Sequence, residues 1–368
     1  MERLTMLYQN VYRKLLDAIR GGEYPAGSRL PSVEELCRQY DVSAITVRRA
    51  MGMLKDEGYV SRQPRIGTIV ISDTPHKGSG NTELPRIAMI VTNFDDTFGA
   101  RVIKGALNAA VDHAYVMLQQ SDGNAELEKS LIDSAIKGGA QGLILLPCNS
   151  DFVPQPVIDL ISSGFPITIL DRRFEGVPVA TVASDNIGGA TTATEYLLSL
   201  GHRHVAFVRS DCHVTSNDER QQGWQAAHAY GNIALDDTLA FHGVESTLPD
   251  STEPYEHDIE RLMRFVADHP QVTAFLACEY NIALMLRTAL QRLGKQVPRD
   301  ASIICFDHPD ATFDTELFRF TNVAQDQRAL GQSAIISTLH QIGNGSHTEK
   351  IVVPTTLVLG QSTAKPLG

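Results

Sequence analysis

The sequence predicts an α/β protein in two unequal parts: a small N-terminal winged helix-turn-helix, then a larger two-lobed domain of doubly wound parallel sheets. Three observations carry that expectation. The stretch Ser72–Pro85 is rich in Gly, Pro and small polar residues and has no apolar period, so it reads as a linker. Before it, three helical patterns precede a hairpin signal. After it, apolar strands alternate with amphipathic helices to the end of the chain, the mark of parallel sheets covered on both faces. The expected limits are 1–72 for the first domain, 73–85 for the linker and 86–368 for the second.

Composition sharpens the division. The 368 residues carry a formal charge of −11, which taken whole argues against a nucleic-acid or anionic-membrane partner. The charge is unevenly spread: residues 1–75 hold 11 Lys+Arg and 9 Asp+Glu, residues 76–368 hold 21 and 34. The acidity therefore belongs to the second part. No apolar run approaches the ~18–20 residues of a membrane span, and the N-terminal residues show no signal-peptide core. A cytoplasmic location is expected. The 5 cysteines, Cys37, Cys148, Cys212, Cys278 and Cys305, are widely spaced and odd in number, so no disulfide framework is expected.

The N-terminal elements follow in order. Val11, Leu15, Leu16 and Ile19 keep a 3.6-residue period over 8–20, and Gly21-Gly22 ends that helix. Ser32 with Glu35 makes a capping box for a short second helix. Ser43 caps a third that runs to about Glu57. The runs Tyr59–Arg62 and Thr68–Ile71 form the hairpin. On the third helix Val47, Ala50, Met51 and Leu54 line the core side. Ile45 and Arg49 stand opposite, flanked by Thr46 and Arg48. Such N-terminal positions of a recognition helix reach the major groove, where Arg grips guanine and hydroxyls bond phosphate. Arg65 sits at the hairpin tip, where a wing meets DNA.

The string Pro25-x-Gly27-x-x-Leu30-Pro31-Ser32, Leu36, Val42-Ser43-x-x-Thr46-Val47-Arg48-x-Ala50, Leu54, Glu57-Gly58 and Gly67-Thr68 resembles the winged-helix domain of the gluconate-repressor (GntR) family over residues 8–71. The resemblance implies DNA contacts from Ser32, Ser43, Thr46, Arg48, Gly67 and Thr68. Two departures matter: Glu34 and Ala44 stand where many members have Arg.

In the second part, strands are expected at Ile87–Val91, Val116–Gln119, Leu143–Leu146 and Ile167–Leu170, with helices near 98–113, 125–137, from 154 and at 186–200. A second series has strands at His204–Val208, 238–242, Thr273–Ala277 and Ser302–Phe306, with helices near 217–230, 256–268 and 281–293. A late helix (326–342) and strand (351–359) return the chain to both lobes. Doubly wound sheets bind ligands beyond the carboxyl ends of their strands. Those ends carry Asn93, Asn149, Asp171, Arg172, Glu279 and Asp307, with Phe98, Trp224 and Phe306 nearby. Polar planar groups beside aromatic rings suit a small polyhydroxylated ligand.

Here Ser184-Asp185-Asn186-x-Gly188-Gly189, Leu200-Gly201-His202, Arg220-x-x-Gly223-Trp224, Val297-Pro298, Phe306-Asp307, Gln325-Asp326 and Leu330-Gly331 resemble the effector domain of the lac-repressor (LacI/GalR) family and periplasmic sugar-binding proteins, over about 86–362. The resemblance implies a periplasmic-binding-protein-like fold with ligand contacts from Arg172, Arg220, Asp307 and Gln325, joined by Asn149 and Phe98. Glu279-Tyr280 departs from the usual Asn-Asp.

His202-x-His204 and Cys212-His213 lack partners at metal-site spacing, and no metal or other cofactor is expected. Gly138–Gly142 precedes a strand and is no dinucleotide fingerprint, and no nucleophile elbow occurs. The expected function is a ligand-responsive, DNA-binding transcription regulator, a homodimeric repressor controlled by a sugar or sugar-like effector. A sugar-binding transport protein is the first alternative. A sugar-acting hydrolase using Asp171 and Asp307 as a carboxylate pair is the second.

Overall fold

A computed structural model describes residues 2–25, 27–56, 59–63, 67–70, 84–249, 251–309, 316–345 and 347–367. They fall in two compact units, Met1–Glu83 and Leu84–Gly368. The first unit holds α1 (Glu2–Arg20), α2 (Val33–Tyr40), α3 (Ala44–Asp56) and a hairpin of β1 (Val60–Gln63) against β2 (Gly67–Val70). The Ser32 hydroxyl accepts from the Glu35 amide while the Glu35 carboxylate accepts from the Ser32 amide, so α2 starts on the expected box. Asp41, at φ 50°, ends it. Val11, Leu15 and Ile19 of α1 bury against Leu36, Val47, Ala50 and Leu54. Residues 28–30 lie along β2, with the Leu30 amide donating to the Thr68 carbonyl and the Val70 amide to the Ser28 carbonyl. The linker up to residue 83 and the expected wing tip at Arg65 lie outside the described residues.

The second unit has two six-stranded sheets. The first lobe contains β3 (Arg86–Val91), α4 (Ala100–Ala110), β4 (Tyr115–Gln120), α5 (Ala125–Lys137), β5 (Gly142–Leu145), α6 (Gln155–Ser162), β6 (Ile167–Leu170) and β7 (Ala180–Ser184). The second follows with α7 (Asn186–Leu200), β8 (Val205–Ser210), α8 (Thr215–Tyr230), β9 (Ala240–Val244), α9 (Tyr255–Asp268), β10 (Ala274–Ala277), α10 (Tyr280–Arg292), β11 (Ser302–Phe306) and β12 (Thr321–Gln325). The chain ends with α11 (Gln327–Asn344), β13 (Lys350–Val353) and β14 (Thr355–Val358). The sheet orders are β13-β7-β6-β5-β3-β4 and β14-β12-β11-β10-β8-β9, parallel throughout except where β14 pairs with β12. On β3, Ile87 and Met89 face one buried layer while Ala88 and Ile90 face the other, which is why both sides of the sheet carry helices.

Three features depart from the sequence reading. Helix α7 does not complete the first series; Ala190, Ala193 and Leu197 pack in the core of the second lobe. Helix α11, by contrast, crosses back as the late helix was expected to, and Leu330, Ala334 and Ile335 join the first lobe's core. The single strand expected at 351–359 is two strands, one per sheet, divided at Pro354, which has no amide to continue a ladder. Strands β7 and β12 carry no strong apolar run, being Ala-Thr-Val-Ala-Ser and Thr-Asn-Val-Ala-Gln, and had no counterpart among the expected elements. The chain thus passes between lobes at 184–186, 325–327 and 353–355.

Candidate functional site

In the first unit, α3 presents Ser43, Ile45, Arg48 and Arg49 as exposed residues. Thr46 corrects the expectation: it is only 5% exposed, and its hydroxyl meets that of Ser43 at 2.9 Å. Thr46 lies one turn before Ala50, so it borders the core face, and capping occupies its hydroxyl. Ser32 is exposed but likewise engaged in its capping box. The Arg49 guanidinium lies 4.3 Å from the centre of the Tyr8 ring. Gly67 pairs with Gln63 at the start of β2, and Thr68 is half-buried there.

In the second unit a cleft of about 160 Å³ opens between the lobes at the carboxyl ends of the strands. Phe98, Asp171, Arg172, Arg220, Glu279, Asp307 and Gln325, all candidates from the sequence, line it. Asp171 and Asp307 hold equivalent places directly after β6 and β11, both with left-handed backbone (φ 62° and 59°). Such conformations in non-glycine residues cluster at functional sites. Arg172 is anchored by the carbonyls of Pro147 and Cys148, the latter at 2.7 Å. Arg220 donates to Asn186 Oδ1 at 3.0 Å and to the Cys278 carbonyl at 2.7 Å, with its guanidinium 4.1 Å from the Phe306 ring centre. The Gln325 amide group donates to Asp307 Oδ2, as does that of Gln327 to Oδ1 at 3.3 Å.

The electrostatics are acidic. Burial pushes Asp307 up to about 6, against the pull of Arg220 and the hydrogen bonds from Gln325 and Gln327. Burial also raises Asp171, opposed by Arg220 and Arg172, and Glu279, opposed by Thr247 and Arg220. One guanidinium thus serves three buried carboxyl groups. Five buried atoms on the cleft wall have no hydrogen-bond partner: Asp171 Oδ1, Arg172 Nε, Thr247 Oγ1, Glu279 Oε1 and Gln325 Oε1.

Two expected ligand residues are not in the cleft. Trp224 is 0% exposed, donates to the Val205 carbonyl at 3.0 Å and stacks on Phe207. Helix α8 runs away from the carboxyl edge, so Arg220 reaches the cleft and Trp224, one turn on, reaches the far end of β8. Asn149 does not line the cleft; its Oδ1 lies 3.5 Å from the Phe152 amide. Sequence reasoning missed Asp95, Ser216, Asn217 and Gln327. Asp95 accepts the Phe98 amide and shapes the loop carrying that ring. Gln327 joins the Thr97 carbonyl of one lobe to Asp307 of the other. Its place one residue beyond Gln325-Asp326 was the available signal.

The lobes are tied beside the cleft. Arg173 pairs with Glu219, and its amide donates to Thr215 Oγ1 at 2.8 Å. The Thr215 amide donates to Ser150 Oγ, and Arg101 donates to the His308 carbonyl. Asn186 donates to Glu219 at 3.0 Å while accepting from Arg220, so the cleft arginine and the interlobe pair share one network. Among the described residues no cluster of three metal-ligating groups occurs, and no helix is long and apolar enough to cross a membrane.

Comparison with known proteins agrees with this division. Residues 7–70 match the family described as bacterial regulatory proteins, gntR family, and residues 194–363 match the periplasmic binding protein-like domain. The chain is 26% identical to the arabinose metabolism transcriptional repressor of Halalkalibacterium halodurans, covering 99% of this chain and 97% of that one. It is also 26% identical to the repressor of that name from Geobacillus stearothermophilus, covering 90% of each. A ribose-bound LacI-family regulator from Enterococcus faecium shares the fold, with a TM-score of 0.61 and 22% identity over 76% of this chain and 99% of its own. The hydrolase reading falls, because these relatives are regulators. The chain thus joins a segment that matches the gntR-family model to one that matches the periplasmic binding protein-like domain, the same two modules in the same order, and resembles transcription regulators over nearly its whole length.

Proposed function

We propose that this regulator is a repressor that binds operator DNA as a homodimer, and that a small sugar entering the interlobe cleft changes that binding. The observation that carries the ligand reading is the set of unpartnered buried atoms on the cleft wall, Asp171 Oδ1, Arg172 Nε, Thr247 Oγ1, Glu279 Oε1 and Gln325 Oε1. An unsatisfied buried polar group costs about 1–3 kcal/mol, so native proteins keep few of them. Sugar hydroxyls donate and accept, and would satisfy all five. The cleft, at about 160 Å³, is small beside the ~300 Å³ at which ligand pockets usually begin, which favours a monosaccharide over a larger ligand. Relatives named for arabinose and a ribose-bound neighbour make pentoses the first class to test.

Pairing through the acidic domains places two α3 helices on a two-fold operator. If ligand changes the spacing of those helices, the coupling follows, with about 1–3 kcal/mol typical of such systems. The protein then acts in the cytoplasm, beside its operator. A transport protein would have no use for the N-terminal unit. The test is a thermal-shift screen of the full chain against L-arabinose, D-ribose, hexoses, deoxysugars and uronates. Sugars that bind are retested for their effect on binding to DNA from the protein's own promoter. A sugar that raises the melting temperature and alters DNA retention supports the reading; no response from either partner refutes it.

A further inference from the structure

We infer that Ile45 reads a thymine methyl group in the major groove and so sets part of the operator's sequence. The inference rests on the DNA-binding reading of α3. Ile45 is 74% exposed, and among the side chains described in the N-terminal unit it is the one large apolar group standing free of the core. The core does not ask for it: Val47, Ala50 and Leu54 fill that side of the helix. Helix propensity does not ask for it either, since a β-branched residue is a poorer helix former than Ala.

The neighbours narrow what α3 can offer to a base edge. The Ser43 and Thr46 hydroxyls bond each other at 2.9 Å, and Thr46 is buried. Arg49 lies over the Tyr8 ring. What remains exposed and without a partner among the described residues in the first two turns is the Ile45 side chain and the Arg48 guanidinium. A single exposed isoleucine is ordinary on a protein surface; what distinguishes this one is its place in the first turn of a recognition helix, next to a free arginine. The apolar group that a base pair presents in the major groove is the thymine C5-methyl. Residues three apart on a helix lie about 5–6 Å apart, against about 3.4 Å per base step along a strand. The thymine read by Ile45 therefore lies within one or two base pairs of any guanine gripped by Arg48.

The test uses the full chain. A random-sequence duplex pool is enriched on the wild-type protein, and the selected duplex is remade with each thymine replaced in turn by deoxyuridine, which removes only the methyl. At one thymine position wild type is expected to lose about fourfold in affinity, the effect of one methyl-sized apolar burial. Ile45→Ala is expected to bind the thymine duplex more weakly and to show no difference between thymine and uracil at that position, while Ile45→Val keeps the preference. The substituted side chain is exposed, so folding is unaffected. The assignment is overturned if Ile45→Ala retains the wild-type methyl preference, or if no deoxyuridine substitution weakens wild type. Failure of the wild-type chain to enrich any duplex is a different result and overturns the DNA-binding reading itself.

Discussion

Asp307 shows how one residue ties the fold to the chemistry of the cleft. Its folded value of about 6 lies above the ~3.9 of an unfolded aspartate. Between those values the folded state binds the proton more tightly, so this group's contribution is complete below about pH 4 and is lost as pH rises through 6. The loss is on the order of 3 kcal/mol. The ligand-free melting temperature of wild type should therefore fall more steeply from pH 4 to 7 than that of Asp307→Asn, and parallel curves would refute the assignment. The same reasoning says why Asp307 was readable from sequence while Trp224 was not. A carboxylate at a strand's carboxyl end is placed by sheet topology alone. A helix residue is placed by the direction of its helix, which carried Arg220 into the cleft and Trp224 to the opposite end of β8. Thr46 failed similarly: its angle on α3 was legible, but its hydrogen bond with Ser43 was not.

At the scale of elements, caps and contact glycines do most of the specifying. Ser32→Ala breaks the capping box of α2 and should cost the N-terminal unit about 1 kcal/mol in denaturant unfolding. Glycines on helices divide by surroundings. A Cβ on Gly331 would sit 1.9 Å from the Val102 carbonyl oxygen, so α11 can lie on α4 only without a side chain there. A Cβ on Gly52 of α3 would meet nothing within 4 Å. Gly→Ala in a free helical position stabilises by about 1 kcal/mol, whereas overpacking costs about 1–3 kcal/mol or more. Gly331→Ala should therefore lower the stability of the second unit and Gly52→Ala should raise that of the first. Equal effects in paired melts would show that the α4–α11 contact is not as close as described. Capping and periodicity are local, so most helices were legible within a few residues. Strands β7 and β12 were not, because Thr, Asn, Ser and Gln interrupt the apolar pattern on which strand recognition depends.

At the scale of the whole second unit, what the sequence left hidden was which sheet each late element joins. Nothing local in Asn186–Leu200 says that it packs on the second lobe, since the choice is made by the crossing at 184–186. With crossings also at 325–327 and 353–355, the lobes are joined by three short segments and held across the cleft by side chains. Arg173 with Glu219 is the ionic tie, and Asn186 connects it to Arg220 in the cleft. A ligand that needs both lobes binds with an apparent Kd equal to its intrinsic Kd divided by the fraction of molecules already closed. Removing the tie lowers that fraction without touching a cleft contact. Arg173→Ala should raise the apparent Kd for the sugar identified by thermal shift several-fold and enlarge the ligand-free radius of gyration in small-angle scattering. Saturating sugar should restore the wild-type radius, because the cleft residues that close on the ligand are intact. If the variant binds the sugar as wild type does, the Arg173–Glu219 pair is an ornament of the closed form and closure is governed at the crossings instead.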